Sequence, residues 1–500
     1  MLSVQHQTLF IAGFLAYVAF LIIVGWLSSR KSNDGTNYLT GGRGLSLLLI
    51  FSTVGATMIG TGSSLGATAN GFRSGWGGSA YALGCALAMI VLAFVFSGLR
   101  EKNFITMAEE TQYYFGGSTA VRKMTGFMMF VAEVCYIGSH MNGGSKYLQF
   151  VTGMDSLPAK VLTLIAFAVY VYIGGYLAVV WTDVIQLVVI LIGFSLVVFK
   201  AIPVAGGWEA IEQAYIMAGN EGALTFYGFG SMGIMSILAL IMAGCLGEMG
   251  APTYRMRIYT AKSASVAKRA YLLGAVLVLA FSLIPSILGM CSFTIATANG
   301  ANEVLSNPDF AFSYIATQVL GPSLGLLLLI SGLSATMSSG DSDAIAGVTI
   351  LLEDVYPALT GGKRIPENKM KSASRASLLV TLTVAFVVTL GISDIMGYIS
   401  SVIGALMPGL VVTTLIGRFW TKRVTPAAGM ASMISGLVCG IGYLTISPLK
   451  ALIDNRFGGP ALPIALFVAV VCIAVTLCTE RDNKTEEEIL SIVLAGRTDL

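Results

Sequence analysis

"SATMSSGDSDAIAGVTILLEDVY", residues 334–356, places Ala335, Ser338, Ser339 and Ser342 at i, i+3, i+4 and i+7, one face of a helix. A lone helical serine usually bonds back to the preceding turn. Three hydroxyls in a row beside Asp341 read differently, because hard cations take oxygen ligands. Asp343 falls on another surface, toward the expected cytoplasmic end. A second stretch, "GATMIGTGSSLGATANG" (55–71), offers backbone instead of side chains. Its Gly60, Gly62 and Gly66 run one residue too long for the dinucleotide fingerprint, with no preceding strand and no ribose-binding acid in a βαβ frame. As an interruption in a membrane helix the same glycines free carbonyls for an ion; as small residues they let helices pack closely. A third stretch, "MAGCLGEMGAPTYRMR" (242–257), breaks at Gly244, Gly247, Gly250 and Pro252 and carries Glu248.

The elements that hold these groups are membrane spans. Hydrophobic residues make up 55% of the chain and charged ones 11%, and apolar runs of about 20 residues recur throughout, each long enough for a ~30 Å hydrocarbon core. By this reading there are about 13 spans, starting near residues 8, 44, 78, 122, 158, 178, 230, 268, 321, 373, 394, 426 and 461. The first has no basic residues before it and no small-residue cleavage site, so it reads as a retained helix and not a secretory leader. With the N-terminus outside and the C-terminus cytoplasmic, most of the 29 Lys and Arg face the cytoplasm, among them Arg30, Lys31, Arg43, the Arg100–Lys123 group, the Arg255–Arg269 group and the Lys363–Arg375 group. The net charge of +3 is then an imprint of topology and points to no nucleic-acid partner. The seven cysteines all fall in spans without metal-ligand spacing, and two histidines are too few for a histidine-built centre. The polar stretches 203–229 and 355–372 read as loops, and 480–500 as a short tail with an amphipathic turn at "EEEILSIVLAG".

Carboxylates inside a bilayer are expensive unless paired or hydrated, so Asp183, Asp341 and Glu133 are functional candidates. Interrupted helices in corresponding places of two halves point to a transporter built from inverted repeats, its site at the midplane. Spans 2–6 and 7–11 then form the repeats, and the two breaks open the two halves.

"GGYLAVVWTDVIQ" (174–186) resembles the hallmark of the sodium:solute symporter family, and "ATMIGTG" from Ala56, "ATMSSGDS" from Ala335 and "RIYTAKSASVAKRA" fit the same family. The resemblance spans helices 2 to 11. It implies an all-α polytopic membrane protein with the five-plus-five inverted repeat of a LeuT-type core. The expected layout is an extra helix in 1–30, repeats in 44–202 and 230–419, and two more helices with a cytoplasmic tail in 420–500. It implies a sodium site from the carbonyls of Ala56 and Ile59 on the first broken helix and from Ala335, Ser338 and Ser339 on span 9. It also implies a second cation position at Asp183, Asp341 and Ser342, although the members with two sodium ions carry Ser where Asp341 stands. A second Na+, a proton, or a structural Asp183 bound to backbone all fit, since two adjacent carboxylates repel unless a cation or proton lies between them.

For the solute, family precedent points to Gly62, Ser63 and Tyr81. The carboxylate, glutamine and inner tyrosine gate of sugar-transporting relatives are replaced by Ala82, Ser63 and Gly247 here, and the tryptophan of choline-transporting relatives by Met58. Thr61, Glu133 and Glu248 remain as polar candidates, with Glu248 either holding an ammonium group or solvated at the cytoplasmic mouth. His140 and Asn142 read as outer residues of span 4. The reading is a non-enzymatic, multi-pass plasma-membrane protein that imports a small solute such as an amino acid, monocarboxylate or zwitterion with Na+, and shows no protein partner. The alternatives are proton coupling, or a solute sensor that has lost coupling.

Overall fold

The computed structural model describes residues 4–29, 41–392 and 394–495. Arg30, Lys31 and Arg497 lie outside them. Among the described residues the chain is helical, and its one extended pairing is an isolated bridge between Leu45 and Ala261. The helices that matter for function are α1 (Val4–Ser29), α2 (Leu47–Met58), α3 (Ala67–Ser74), α4 (Ala80–Val91), α5 (Thr119–Thr152), α6 (Ser156–Val204), α7 (Ile234–Gly250), α8 (Pro252–Thr260), α9 (Ala264–Phe281), α10 (Leu283–Ala298), α11 (Pro322–Ile350), α12 (Glu367–Thr389), α13 (Gly404–Phe419), α14 (Pro426–Thr445), α15 (Ala461–Cys478) and α16 (Glu486–Leu494).

Among the described residues nine helices are long and apolar enough to cross a membrane, or ten if the bent pair α7–α8 counts as one span. The other expected spans also fall on helices. The start of span 2 is α2, short because it is broken; span 4 is α5, 34 residues long with a buried polar face; span 5 is the first part of α6. Spans 5 and 6 form one element kinked at Gly175, whose φ of 64° suits glycine alone.

Both interruptions follow from local sequence. Ser46 caps α2 by accepting from the Leu49 N–H at 3.4 Å, and the helix ends at Met58, four residues before a wide turn over Gly62–Gly66 that leads into α3. Pro252 lacks an N–H, so α7 stops at Gly250 and α8 starts afresh at an angle of 47°. The glycines serve close packing as well as breakage: a Cβ on Gly289 of α10 would lie 2.2 Å from the Thr68 carbonyl oxygen of α3. One on Gly84 of α4 would lie 2.1 Å from that of Ile241 on α7. Of the expected loops, 203–229 carries a helix at Trp208–Met217, whose Tyr215 hydroxyl donates to the Gly71 carbonyl at 2.7 Å. The tail forms α16, started by a Thr485–Glu488 capping box and anchored by buried Ile489 and Val493.

Candidate functional site: a neutral oxygen cage and a negative cleft

α11 crosses the molecule beside the first break. Ser338 Oγ donates to the Ala56 carbonyl at 2.9 Å and Ser339 Oγ to the Thr57 carbonyl at 2.8 Å. Both hydroxyls also reach the Ala335 carbonyl, at 3.2 and 3.1 Å. Three carbonyls and two hydroxyls, all buried, thus meet between the two helices. The set is neutral and made only of oxygens, which suits a small alkali cation. Glycine at 60 allows the approach, because a Cβ there would stand 2.4 Å from Ser339 Oγ. Ile59 ends α2 at this point, its N–H bound to the Gly55 carbonyl at 3.0 Å. Thr57, which sequence reasoning did not name, supplies the carbonyl that Ser339 holds.

The expected second cation position is filled by the protein itself. Arg257 of α8 lies fully buried with Nη2 2.5 Å from Ser342 Oγ, 3.0 Å from Thr57 Oγ1 and 3.6 Å from Asp183 Oδ2. Its Nε donates to Thr53 Oγ1 at 3.1 Å and its Nη1 to Thr253 Oγ1 at 2.7 Å. Asp183 also accepts from Thr53 and, at 3.5 Å, from Ser342. Asp183 and Ser342 therefore meet around a guanidinium. Asp341, buried on α11, lies seven residues beyond Ser334, whose hydroxyl meets Tyr17 of α1 at 2.6 Å. Arg255 and Arg257 are correspondingly not loop charges facing the cytoplasm. Both are 1% exposed, and Arg255 stacks on Phe96 at 3.3 Å with Glu110 3.7 Å away.

Beside the oxygen cage lies a narrow, nearly filled cleft of about 20 Å³, room for about one water molecule in this conformation. Gly62, Ser63, Tyr81 and Glu248 line it. Glu248 falls on one of its two alternatives, and three expectations need correction. Glu248 is 7% exposed and accepts the Tyr81 hydroxyl at 2.8 Å, so it is a cleft residue and not a solvated mouth charge. Asp343 lines the cleft, paired with His140 Nε2 at 3.1 Å, and not the cytoplasmic end. His140 itself is in the site, its Nδ1 2.8 Å from the hydroxyl of Thr61, which sits behind the wall next to Thr336 at 3.4 Å. Glu133 does not line the cleft: its Oε1 accepts the Thr253 N–H at 3.2 Å and so caps the start of α8. At Gly247 a Cβ would lie 2.7 Å from the Tyr136 hydroxyl, so a phenol from α5 fills the space beside it. Asn142 is buried, and its amide has no hydrogen-bond partner among the described residues.

Compared with known proteins, residues 38–436 match the model of the sodium:solute symporter family. The chain belongs to that family. It is 25% identical to the human sodium/myo-inositol cotransporter 2 over 87% of this chain and 70% of that one. It is 23% identical to the osmoregulated proline transporter OpuE of Bacillus subtilis (strain 168), covering 95% and 96%, and 25% identical to a sodium/proline symporter of Staphylococcus aureus (strain JH9), covering 88% and 87%. Its fold superposes on an outward-open, substrate-bound Na+-coupled sialic acid symporter with a TM-score of 0.77 at 16% identity, over 95% of this chain and 99% of that one. The fold is thus the LeuT type, and the chain is a multi-pass membrane transporter coupled to Na+.

Both ends of this symporter are drawn together. At one, Leu45 N–H donates to the Thr260 carbonyl at 3.1 Å and Lys262 N–H to the Leu45 carbonyl at 2.9 Å, tying the start of α2 to the end of α8. Arg100 clamps the same junction through the carbonyls of Arg43, at 3.0 Å, and Ala261. At the other, Arg73 at the end of α3 meets Asp394 at 3.4 Å and Asp309 at 3.9 Å, while Lys146 of α5 meets Asp309 at 3.8 Å. Burial pushes the Asp309 carboxyl up to about 6, helped by Asp394 and opposed by Lys146 and Arg73.

Proposed function

We propose that this chain imports a small organic solute across the plasma membrane together with one Na+, by alternating access, with its N-terminus outside. The observation that carries the reading is the double bridge from Ser338 and Ser339 to the Ala56 and Thr57 carbonyls. Na+ held by these oxygens ties the first broken helix to α11 and preforms the cleft next to it. Rocking of the 44–202 and 230–419 repeats against one another then separates the two helices and releases ion and solute on the far side. Na+ and solute must favour the same state, so each raises the other's affinity by the same factor. One Na+ crossing ~100 mV releases about 2.3 kcal/mol, roughly 50-fold accumulation. Proton coupling through Asp183 is less suited, because that carboxylate already has a guanidinium partner. Within the cleft, two carboxylates and no Lys or Arg among the described lining residues favour an ammonium-bearing solute over a monocarboxylate.

The test is uptake by proteoliposomes of whichever compound stabilises the purified protein, driven in turn by a Na+ gradient and by a pH gradient. Uptake driven by Na+ alone is expected. Uptake driven by the pH gradient in Na+-free medium would overturn the sodium mechanism.

A further inference from the structure

The cleft beside the oxygen cage is acidic. Glu248 of α7 and Asp343 of α11 both line it, and no Lys or Arg does among the described residues. His140 bridges Thr61, 2.8 Å from Nδ1, and Asp343, 3.1 Å from Nε2. The adjoining oxygen cage contributes no charge, being carbonyls and hydroxyls. Two further buried groups on the cleft wall, the Tyr136 hydroxyl and Ser139 Oγ, have no hydrogen-bond partner among the described residues. Buried polar groups of this kind ordinarily have one, so both point to a ligand. Three tyrosines, Tyr81, Tyr136 and Tyr254, add aromatic surface to the same space, and ring faces attract cations. Among the described residues no three His, Cys, Asp or Glu side chains converge as a metal-ion ligand set. The charge is offered to an organic group.

We infer that the solute is a monovalent organic cation, an amine or guanidine compound without a carboxylate, its positive group held by Glu248 and Asp343 and its hydrogens shared with Tyr136 and Ser139. The inference rests on the reading above, in which this cleft carries the solute beside Na+. Charge complementarity decides among solute classes. A cationic group meets both carboxylates directly. The carboxylate of a zwitterion or monocarboxylate meets no Lys or Arg among the described lining residues. In a buried site an uncompensated charge costs several kcal/mol. Neutral polyols satisfy the hydroxyls but leave a carboxylate unanswered.

The experiment is a melting-temperature titration of the detergent-purified full chain, in Na+ and in K+, with ethanolamine, guanidine, proline, lactate and myo-inositol. Wild type, Glu248→Gln and Asp343→Asn are compared. The expected result is stabilisation of wild type by ethanolamine or guanidine in Na+, with at least tenfold weaker apparent affinity in both variants. Each variant should keep its stabilisation by Na+ alone, which shows that it is folded and has an intact cage. Failure of both cations to stabilise wild type, or cation affinities unmoved by both substitutions, overturns the assignment. Cation binding of equal strength in Na+ and K+, lost in the variants, sustains the solute class and instead overturns the sodium reading on which it rests.

Discussion

Ser338→Ala removes one hydroxyl and nothing else from the oxygen cage. The size of the effect follows from what that hydroxyl does with and without the ion. In the structure it donates to the Ala56 carbonyl at 2.9 Å, a neutral hydrogen bond worth about 0.5–1.5 kcal/mol. Turned toward Na+ it becomes a ligand of a charged group, worth about 1.5–3 kcal/mol. The alanine variant forgoes both, so sodium affinity falls by the difference, about 1–1.5 kcal/mol, or about 5- to 15-fold. Ser339→Ala should behave alike, since its hydroxyl holds the Thr57 carbonyl at 2.8 Å. The assay is the half-saturating Na+ concentration for thermal stabilisation, with ionic strength held constant by K+. Linkage supplies an internal control: solute affinity in either variant should be depressed at low Na+ and restored at saturating Na+. A merely misfolded site would not recover. Half-saturating concentrations within twofold of wild type in both variants would refute the cage as the sodium site.

Arg257→Met leaves Asp183 buried without its cation, which costs about 3–5 kcal/mol; melting in K+ should show the loss, Na+ should recover part of it with a steeper dependence than in wild type, and Asp183→Asn added to Arg257→Met should restore stability. Gly289→Ala puts a Cβ 2.2 Å from the Thr68 backbone oxygen and should destabilise by about 1–3 kcal/mol in a melt, because α10 must move off α3. The Asp309 carboxyl titrates near 6 against an ordinary value of 3.8, so the folded chain binds its proton more tightly than the unfolded one. Wild type should therefore lose stability relative to Asp309→Asn as pH rises from about 4 to about 6, with a constant difference above 7; a difference that instead widens on acidification would reverse the sign of that shift.

What the sequence disclosed was local. The two breaks are written in glycine and proline, whose effects on a helix need no tertiary partner, and the hydroxyl row of Ala335, Ser338 and Ser339 follows from helical spacing alone. The residues it hid depend on what a neighbouring helix presents. Arg257 sits in a basic run that ends in genuine surface charges, so composition placed it in a loop; only the fold shows its guanidinium between Asp183 and Ser342. A signal was available in Thr53 and Thr57, one turn apart in an apolar span, both of which accept from Arg257. His140 and Asp343 were misplaced for a related reason. Each lies on a long helix whose depth in the membrane the sequence sets only to within a turn or two, and their pairing at 3.1 Å fixes that depth. Thr57 was overlooked because its contribution is a carbonyl, and a backbone oxygen leaves no trace in residue type.

Three charge arrangements then combine into one measurable quantity. In the proposed mechanism the neutral oxygen cage delivers its Na+; Arg257 compensates Asp183 but is tethered and never crosses; Glu248 and Asp343 stay behind when the solute leaves. The charge moved per solute is therefore one for Na+ plus the solute's own charge. For a monovalent organic cation this is two, and at ~100 mV the potential alone contributes about 4.6 kcal/mol, roughly 2,500-fold accumulation. For a zwitterion it is one. A second mobile Na+ would raise either value by one, so a ratio of two has two sources, a cation with one Na+ or a zwitterion with two. They separate when the Na+ gradient is varied at fixed voltage: the solute gradient at equilibrium scales with the first power of the Na+ ratio in one case and with its square in the other. Reversal potentials in proteoliposomes give both numbers. A ratio of two with first-power dependence is the outcome expected here. Square dependence would mean that the guanidinium at Asp183 does not stand in for a second ion, and the charge argument for a cationic solute would fall with it.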